Sequence, residues 1–314
     1  MRSINYVLLL TTSLFAWRIG SFEICVTSDD KKQPIVFNTI SKTLVYPTVS
    51  CPVGEDSGEL FVGEALGVIC TGRSNSLVKD DNIVCHGDTP YYNLTHGANK
   101  LKCTRVNKAV TVREPERDDP TKGCETFKVG FNITFSFHTV YTVCWDNRDQ
   151  HPVWVRNIIN PAMREEDDDD LIDTGIRTVF KYSKKIFGDI NPRYYFSKKN
   201  QRLNNLLIGN NFMARGHLAP AADFFLACER WATFSLSNVV PQWQTHNNGR
   251  WKAIENLARH LDGAAIAETG PYYKSPKKFL DSERSLFPIP HFLYKKVWDE
   301  KGVLLLDALD IVDI

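Results

Sequence analysis

The chain has 314 residues, of which 43% are hydrophobic and 24% charged, so it can bury one large core or two modest ones. Its formal net charge of +1 argues against a protein that is basic over its whole surface, although the charges are unevenly distributed along the chain. After the N-terminus, no stretch approaches the roughly 20 consecutive apolar residues of a membrane span. These properties indicate a soluble globular protein.

The first 21 residues are typical of a secretory signal peptide. Arg2 supplies the positive charge, residues 6–17 form an apolar run, and small residues lie near its end at Ala16, Gly20 and Ser21. We therefore predict a signal peptide over 1–21 and a secreted mature protein.

The cysteines agree with an oxidising compartment. They are widely spaced and none forms a C-x-x-C pair, which favours disulfides over zinc. Seven of the eight precede residue 150, so either Cys228 bonds back to the N-terminal half or a thiol there is free. Two sequons, at Asn93 and Asn132, predict glycosylation in a secreted protein.

The region 22–140 alternates apolar and polar residues as short strands do, with "LFVGEALGVIC" and "FNITFSFHTVYTVCW" as examples. We predict a β-rich, disulfide-containing N-terminal region over 22–140 and a second domain over 141–314. An acidic block at 165–170, extended by Asp173, is interpreted as a solvated boundary or exposed loop. A Ca²⁺ site or a mimic of a polyanion are the alternatives for this block.

After residue 171 the pattern becomes mixed α/β. The apolar spacing predicts a helix over 173–185, and the run 231–240 suits a strand. A second helix is predicted over 248–261, where apolar residues recur at spacings of three and four. "AAIAETGPYY" predicts a strand followed by a turn, and "KKVWDEKGVLLLDAL" predicts a hairpin.

Two short motifs in this half carry chemically useful groups. The first is Arg215-Gly216-His217, and the second is "SNVVPQ" at 237–242 with Asn247 and Asn248 behind it. His217 is a base near neutral pH, an Asn oxygen is an acceptable ligand for Mg²⁺, and Arg215 can grip phosphate oxygens. Phosphodiester hydrolysis needs these three groups. Singly, the His is as well explained by a structural role, and the Asn pair by a helix N-cap.

The segment 177–215 is strongly basic, and aromatic residues are interleaved with its cations. This composition suits phosphate contact and base stacking, so Arg193, Lys198, Lys199 and Arg202 are predicted substrate-binding residues. A solvated helix face above core aromatics is the competing interpretation. No base-reading module is recognisable, and contacts mainly to phosphates are therefore expected, with little sequence preference.

Together the two motifs resemble the DNA/RNA non-specific endonuclease family, the ββα-metal nucleases that include mitochondrial endonuclease G. The family's D-R-G-H appears here as 214–217, and its S-N-x-x-P-Q as 237–242, followed by Asn247 and by Trp251-x-x-x-Glu255. "RGHLAPAADF" and "NVVPQWQTHN" are most similar to the arthropod secreted branch, which includes double-stranded-RNA nucleases. The similarity extends over about 140–314.

The resemblance implies an α+β fold, with a central antiparallel sheet flanked by helices, and a Mg²⁺-dependent endonuclease acting on DNA and RNA. Mn²⁺ is the expected substitute for Mg²⁺. It implies His217 as general base, Asn247 as metal ligand and Glu255 as a carboxylate that holds the metal's waters. The other catalytic residues implied are Asn238, Arg215 and Arg193. In a regular helix Glu255 would lie about 12 Å along the axis from Asn247, which disfavours direct binding of one ion by both and leaves contact through water, or a helix that starts after Asn247.

Two departures favour an alternative. Ala214 replaces the family's Asp, and the chain ends at Ile314, where relatives continue with further strands. The alternative is a catalytically weakened, secreted nucleic-acid-binding protein of the same fold. A disulfide-bonded interaction module with a relic nuclease domain is a third interpretation, drawn from the N-terminal half.

Overall fold

A computed structural model of the protein describes the side chains of residues 35–38, 40–41, 44–46, 68, 70, 107–118, 123–133, 136–161, 163 and 179–312. The backbone is also described for the short strands between residues 22 and 103 and for the turn 161–164. The predicted signal peptide and the acidic block at 165–170 lie outside the described residues.

The described part of the N-terminal region is built of short strands. They form one sheet of six strands and one of three. The strands are β1 (Phe22–Thr27), β2 (Ile35–Asn38), β3 (Val49–Val53), β4 (Asp56–Gly63), β5 (Leu66–Ile69), β6 (Leu77–Lys79), β7 (Val84–Cys85), β8 (Tyr92–Asn93) and β9 (Leu101–Cys103). A β-rich N-terminal region is thereby confirmed.

The remaining strands form the central sheet and two small ones. They are β10 (Val110–Arg113), β11 (Glu125–Ile133), β12 (Ser136–Asp146), β13 (His151–Ile158), β14 (Leu207–Ile208), β15 (Asn211–His217), β16 (Val239–Trp243), β17 (Ile266–Tyr272), β18 (Lys278–Asp281), β19 (Leu286–Ile289), β20 (Phe292–Trp298) and β21 (Leu304–Ile311). The central sheet has the order β10-β11-β12-β13-β17-β20-β21, and all neighbours are antiparallel. β12 crosses residue 140, so one sheet contains strands from both sides of the predicted domain division.

The helices are short and lie outside the central sheet. They are α1 (Lys184–Phe187), α2 (Pro192–Tyr195), α3 (Lys198–Leu203), α4 (Ala227–Thr233), α5 (Gln244–His246) and α6 (Lys252–His260), with a π-helical segment (Asn247–Trp251) between the last two. Side-chain oxygens of Ser183, Asn191 and Ser197 accept a backbone N–H at the N-termini of α1, α2 and α3, which explains three helix starts within fifteen residues. The mixed α+β architecture with a central antiparallel sheet is confirmed.

One hydrophobic core joins these layers. It includes Phe131 and Tyr141 from the sheet, Val240 and Trp251 from the β16–helix region, and residues 35–37 of β2, all essentially inaccessible to solvent. Burying a large side chain of this kind stabilises the fold by about 1.5–3 kcal/mol. The N-terminal strand β2 therefore packs on the same core as the rest of the protein.

Two secondary-structure predictions are wrong where the structure describes them. Residues 179–183 are not helical, because α1 begins only at Lys184 behind its Ser183 cap. The predicted strand 231–240 is largely helical: 231–233 close α4, a 3₁₀ turn occupies 236–238, and β16 starts at Val239. A short apolar run is compatible with a buried helix or a strand, and tertiary packing decided between them. The helix after Asn247 and the C-terminal hairpin are confirmed.

Cys124 and Cys144 form a disulfide between the start of β11 and β12. Cys70 is also disulfide-bonded. Cys228 is a buried free thiol, so of the two alternatives the bond from Cys228 to the N-terminal half is not formed. Among the described helices, none is both long and apolar enough to cross a membrane.

Candidate active site

The two sequence motifs lie on one β-hairpin followed by a helix. β15 pairs with β16 in a register that sets Arg215 opposite Pro241 and His217 opposite Val239. β16 leads directly into α5, the π-helical segment and α6. His217 is therefore the last residue of β15, and Asn247 is the first residue of the π-helical segment that follows β16 and α5.

His217 is held between two aromatic rings. Its imidazole centroid lies 5.2 Å from that of Phe180 and 5.0 Å from that of Phe234. Nε2 is buried and has no hydrogen-bond partner among the described residues, although the residue as a whole is only half-buried. Burial lowers the pKa of His217 to about 4, because the apolar walls disfavour the imidazolium. At neutral pH the ring is therefore uncharged and able to accept a proton.

The ring protons of His217 should show this in an NMR titration. We expect their chemical shifts to stay constant from pH 8 to about 5 and to move only near pH 4, with the His217→Ala spectrum as the assignment control. Between about pH 6.5 and 4 the unfolded chain binds a proton here that the folded chain does not, so this group destabilises the fold as pH falls through that window. A midpoint near the ordinary value would show that the imidazole is solvated.

Two guanidinium groups lie beside this imidazole. The Arg215 guanidinium carbon is 5.4 Å from the Phe180 ring centroid and 5.8 Å from that of Phe196. Arg193 donates from Nε to the carbonyl of Phe180 at 3.0 Å. Burial, and then the charge of Arg193, lower the pKa of Arg215. Neither arginine forms a salt bridge with a carboxylate of the described residues, so the pair offers uncompensated positive charge to an anion.

The residue between Arg215 and His217 is a glycine because the Gln242 side chain occupies the space that a Cβ at this position would need. A Cβ at Gly216 would lie 2.0 Å from Oε1 of the fully buried Gln242. Gln242 donates from Nε2 to Nδ1 of His246 at 2.9 Å, and His246 donates from Nε2 to Asp310 at 2.9 Å. Asp310 also pairs with Arg250. These buried hydrogen bonds connect the hairpin to β21. They also fix the position of His246, the residue directly before Asn247.

Asn238 supports the backbone that follows His217. Its fully buried side chain donates to the carbonyls of Ala219 at 2.9 Å and Thr233 at 3.0 Å, and its Oδ1 accepts from the Ala219 N–H at 2.9 Å. Both amide hydrogens are used in these contacts. Asn238 therefore holds the backbone at Ala219 and Thr233 in place.

Asn247 is half-buried at the start of the π-helical segment. Its Nδ2 donates to Asn248 at 3.3 Å, while its Oδ1 accepts no hydrogen bond from the described part of the chain. Gly249 has non-helical dihedrals (φ −109°, ψ −108°), and α6 begins only at Lys252. The segment from Asn247 to Glu255 is therefore not one regular helix, and the separation expected for a regular helix does not apply to these two residues.

Glu255 is half-buried and lies beside a cluster of buried charges formed by Asp223, Arg259 and Lys295. Burial raises the pKa of Glu255 to about 7, opposed by Lys295 and Arg259 and reinforced by Asp223. Asp223 Oδ1 accepts from Arg259 Nε at 3.4 Å, its Oδ2 accepts from Asn157 at 3.0 Å, and Lys295 Nζ lies 3.9 Å from Oδ2.

Sequence reasoning missed the three partners of Glu255. Arg259 was detectable, because it follows Glu255 by four positions on one helix face. Asp223 and Lys295 carry no local signal, since Lys295 comes from β20 and meets the cluster only through the fold.

The other predicted substrate-binding residues lie elsewhere. Lys198, Lys199 and Arg202 are exposed on α3, with Lys198 Nζ 5.2 Å from the Phe212 ring centroid. Phe212 and His217 are five residues apart on β15, which is roughly 17 Å of strand. These three cations are therefore at the opposite end of β15 from the imidazole.

The β15–β16 hairpin carries Arg215 and then His217, and the helical segment after it carries Asn247, an arrangement typical of nucleases of the ββα-metal class. The chain belongs to the DNA/RNA non-specific endonuclease family, whose sequence model matches residues 122–305. The chain is therefore classed as an endonuclease. The family predicted from the two motifs is confirmed.

Three curated relatives illustrate the range of similarity. The chain is 26% identical over 311 residues to "Salivary protein Tsal1" of Glossina morsitans morsitans, covering 90% of this chain and 76% of that protein. It is 27% identical over 218 residues to "Salivary endonuclease" of Lutzomyia longipalpis, covering 64% and 47%. It is 38% identical over 85 residues to "Nuclease EXOG, mitochondrial" of Mus musculus, covering 24% and 23%. The chain thus spans about half the length of the Lutzomyia protein.

Proposed function

We propose that this protein is a secreted, Mg²⁺-dependent endonuclease that hydrolyses phosphodiester bonds in DNA and RNA, including double-stranded forms, and leaves 5′-phosphate ends. The observation that carries the proposal is the neutral, half-buried His217 beside two arginines without carboxylate partners among the described residues. Membership of the endonuclease family supports the substrate class. The salivary relatives and the signal-like N-terminus support secretion.

The reaction divides among the residues as follows. His217 accepts the proton of the water that attacks phosphorus, forming the new P–O bond as the P–O3′ bond breaks. The departing 3′ oxygen takes a proton from solvent. Arg215 and Arg193 hold the non-bridging oxygens, and their charge is worth most where burial has removed competing water. The aromatic walls around His217 keep the imidazole in its neutral, proton-accepting form.

The residues present fit a magnesium ion. Asn247 offers an amide oxygen without a donor among the described residues, and Glu255 offers a carboxylate on the following helix. Mg²⁺ prefers such hard oxygen ligands and retains several waters, so one direct protein ligand suffices. Asn247 would hold the ion, and Glu255 would hold its waters. When bound, the ion supplies charge neutralisation on the phosphate and the leaving oxygen.

Metal removal tests the proposal. With Mg²⁺ the secreted protein should convert supercoiled plasmid and double-stranded RNA to shorter products, and EDTA should abolish both reactions. Excess Mg²⁺ added after EDTA should restore them, which controls for irreversible loss of the protein. Cleavage that persists in EDTA would exclude the metal-dependent mechanism.

A second function is favoured by Ala214. This buried position pairs with Gln242 and carries no carboxylate where the family has one. The alternative is a nucleic-acid-binding protein that has lost most turnover. The same experiment separates the two, because a weakened enzyme would bind labelled nucleic acid without metal-dependent cleavage.

A further inference from the structure

A pocket of about 310 Å³ opens next to the candidate active site. One wall is strand β10 with the residues before it, and the other is formed by the segment 181–185 and by the end of α4. Lysines and aromatic rings line it, and its described lining contains no carboxylate. This volume falls at the small end of the range for ligand sites.

The pocket concentrates positive charge. Lys108, Lys181 and Lys185 line it. Lys185 is anchored across the pocket because its Nζ donates to the Thr111 carbonyl of β10 at 3.0 Å. Lys181 is exposed at the pocket, and partial desolvation, and then the charge of Lys108, lower the pKa of Lys181. An anion bound beside Lys181 would offset both effects.

The indole of Trp231 adds a second, independent feature. Lys181 Nζ lies 5.9 Å from the Trp231 ring centroid, and the indole Nε1 is buried without a hydrogen-bond acceptor in the described part of the chain. A buried donor of this kind is costly unless an acceptor arrives. Phosphate oxygens would supply the acceptors and the negative charge together.

Two rings are shared between the pocket and the active site. Phe234 lines the pocket and packs on the His217 imidazole at 5.0 Å. Tyr182 also lines the pocket, and the Arg193 guanidinium carbon lies 5.4 Å from its ring centroid. The pocket is thus separated from His217 by the Phe234 ring alone, so a phosphate close to the reacting one on the same strand could enter it.

Part of the pocket lies outside the family domain. Lys108 and Thr111 precede residue 122, where the match to the endonuclease family begins. The strand that closes the pocket, β10, therefore comes from the part of the chain that precedes the matched region.

We propose that this pocket binds a backbone phosphate of the nucleic-acid strand close to the cleaved bond, so that the N-terminal region forms part of the substrate-binding surface. The proposal rests on the proposed function, since it names a second contact of the same substrate. In this proposal Lys181 contacts the second phosphate, whereas Lys198, Lys199 and Arg202 do not.

Binding without turnover tests the assignment. Fluorescence anisotropy of a labelled twelve-nucleotide single strand in EDTA would compare the native protein with Lys181→Gln and Lys181→Arg. The expected result for Lys181→Gln is binding weaker by about 3- to 10-fold, with a slope of log K against log salt reduced by about 0.7. Lys181→Arg should retain most of the affinity, because it keeps the charge.

Lys301→Gln is the matched control, since Lys301 is exposed in the β20–β21 turn, away from the pocket. Equal effects of Lys181→Gln and Lys301→Gln would overturn the proposal while leaving the proposed nuclease function intact. Unchanged melting temperatures would show that both variants are folded; the Lys181 backbone is fixed by bonds to Phe234 and Leu236 and does not depend on its side chain.

Turnover and a free nucleotide complete the test. Lys181→Gln should raise KM for the oligonucleotide but leave cleavage of bis(p-nitrophenyl) phosphate, which has no flanking phosphate, unchanged. A 5′-mononucleotide should bind much more weakly than the oligonucleotide. If it binds as tightly and is equally sensitive to Lys181→Gln, the pocket is a mononucleotide site and the assignment to the strand backbone is wrong. A chain that binds but never cleaves would instead overturn the proposed function alone.

Discussion

His217→Ala is expected to lower kcat for plasmid cleavage by about 10²- to 10⁴-fold, the usual contribution of a positioned general base. The variant loses the proton acceptor, whereas Arg215 and Arg193 remain in place to hold phosphate. Binding of labelled nucleic acid in EDTA should therefore be unchanged, and the loss should appear in kcat rather than in KM. Initial rates of nicking at saturating substrate measure the effect.

His260→Ala is the matched control for this substitution. His260 is an exposed histidine near the end of α6, with Nδ1 against the carbonyl of Asn256. Its loss should leave kcat within error of the native value. If His217→Ala cleaves as fast as His260→Ala, the assignment of His217 as the base is wrong, whatever the outcome of the metal experiment.

Asp223→Ala is expected to lower the free energy of unfolding by about 3–5 kcal/mol, the cost of breaking a buried ion pair from one side. Asp223 and Lys295 are fully buried and Arg259 is 1% exposed, so the two cations would be left facing each other without water. Glu255 would compensate in part, because the repulsion from Asp223 that raises its pKa would be gone. Urea denaturation at neutral pH measures the difference.

The surface pair Lys296–Asp307 provides the comparison. Its atoms lie 3.3 Å apart, but the Asp307 side chain is 52% exposed. Asp307→Ala should change the unfolding free energy by no more than about 1 kcal/mol, because solvent screens an exposed pair. Equal effects of the two substitutions would mean that the Asp223 cluster is hydrated.

The two motifs were predictable from the sequence because their residues are close along the chain. Arg215, Gly216 and His217 are consecutive, and a seven-residue strand carries all three. The helix after Asn247 and the C-terminal hairpin followed from periodicity, which reports burial of a single face. The strand prediction for 231–240 was wrong because the Glu229 carboxylate accepts a hydrogen bond from the Leu226 N–H and so caps the N-terminus of α4. The hydrophobic pattern contains no information on this contact.

The sequence by itself determined the chemical groups of the site, their order and the family to which they belong. The tertiary structure alone decided that Arg193 and Arg215 both contact Phe180, that Lys198 lies at the far end of β15, and that Lys108 from the N-terminal region lines one pocket with Lys181. The physical reason is that charge acts through space and strengthens with burial. Neither distance nor burial is encoded in the spacing of residues that lie tens of positions apart.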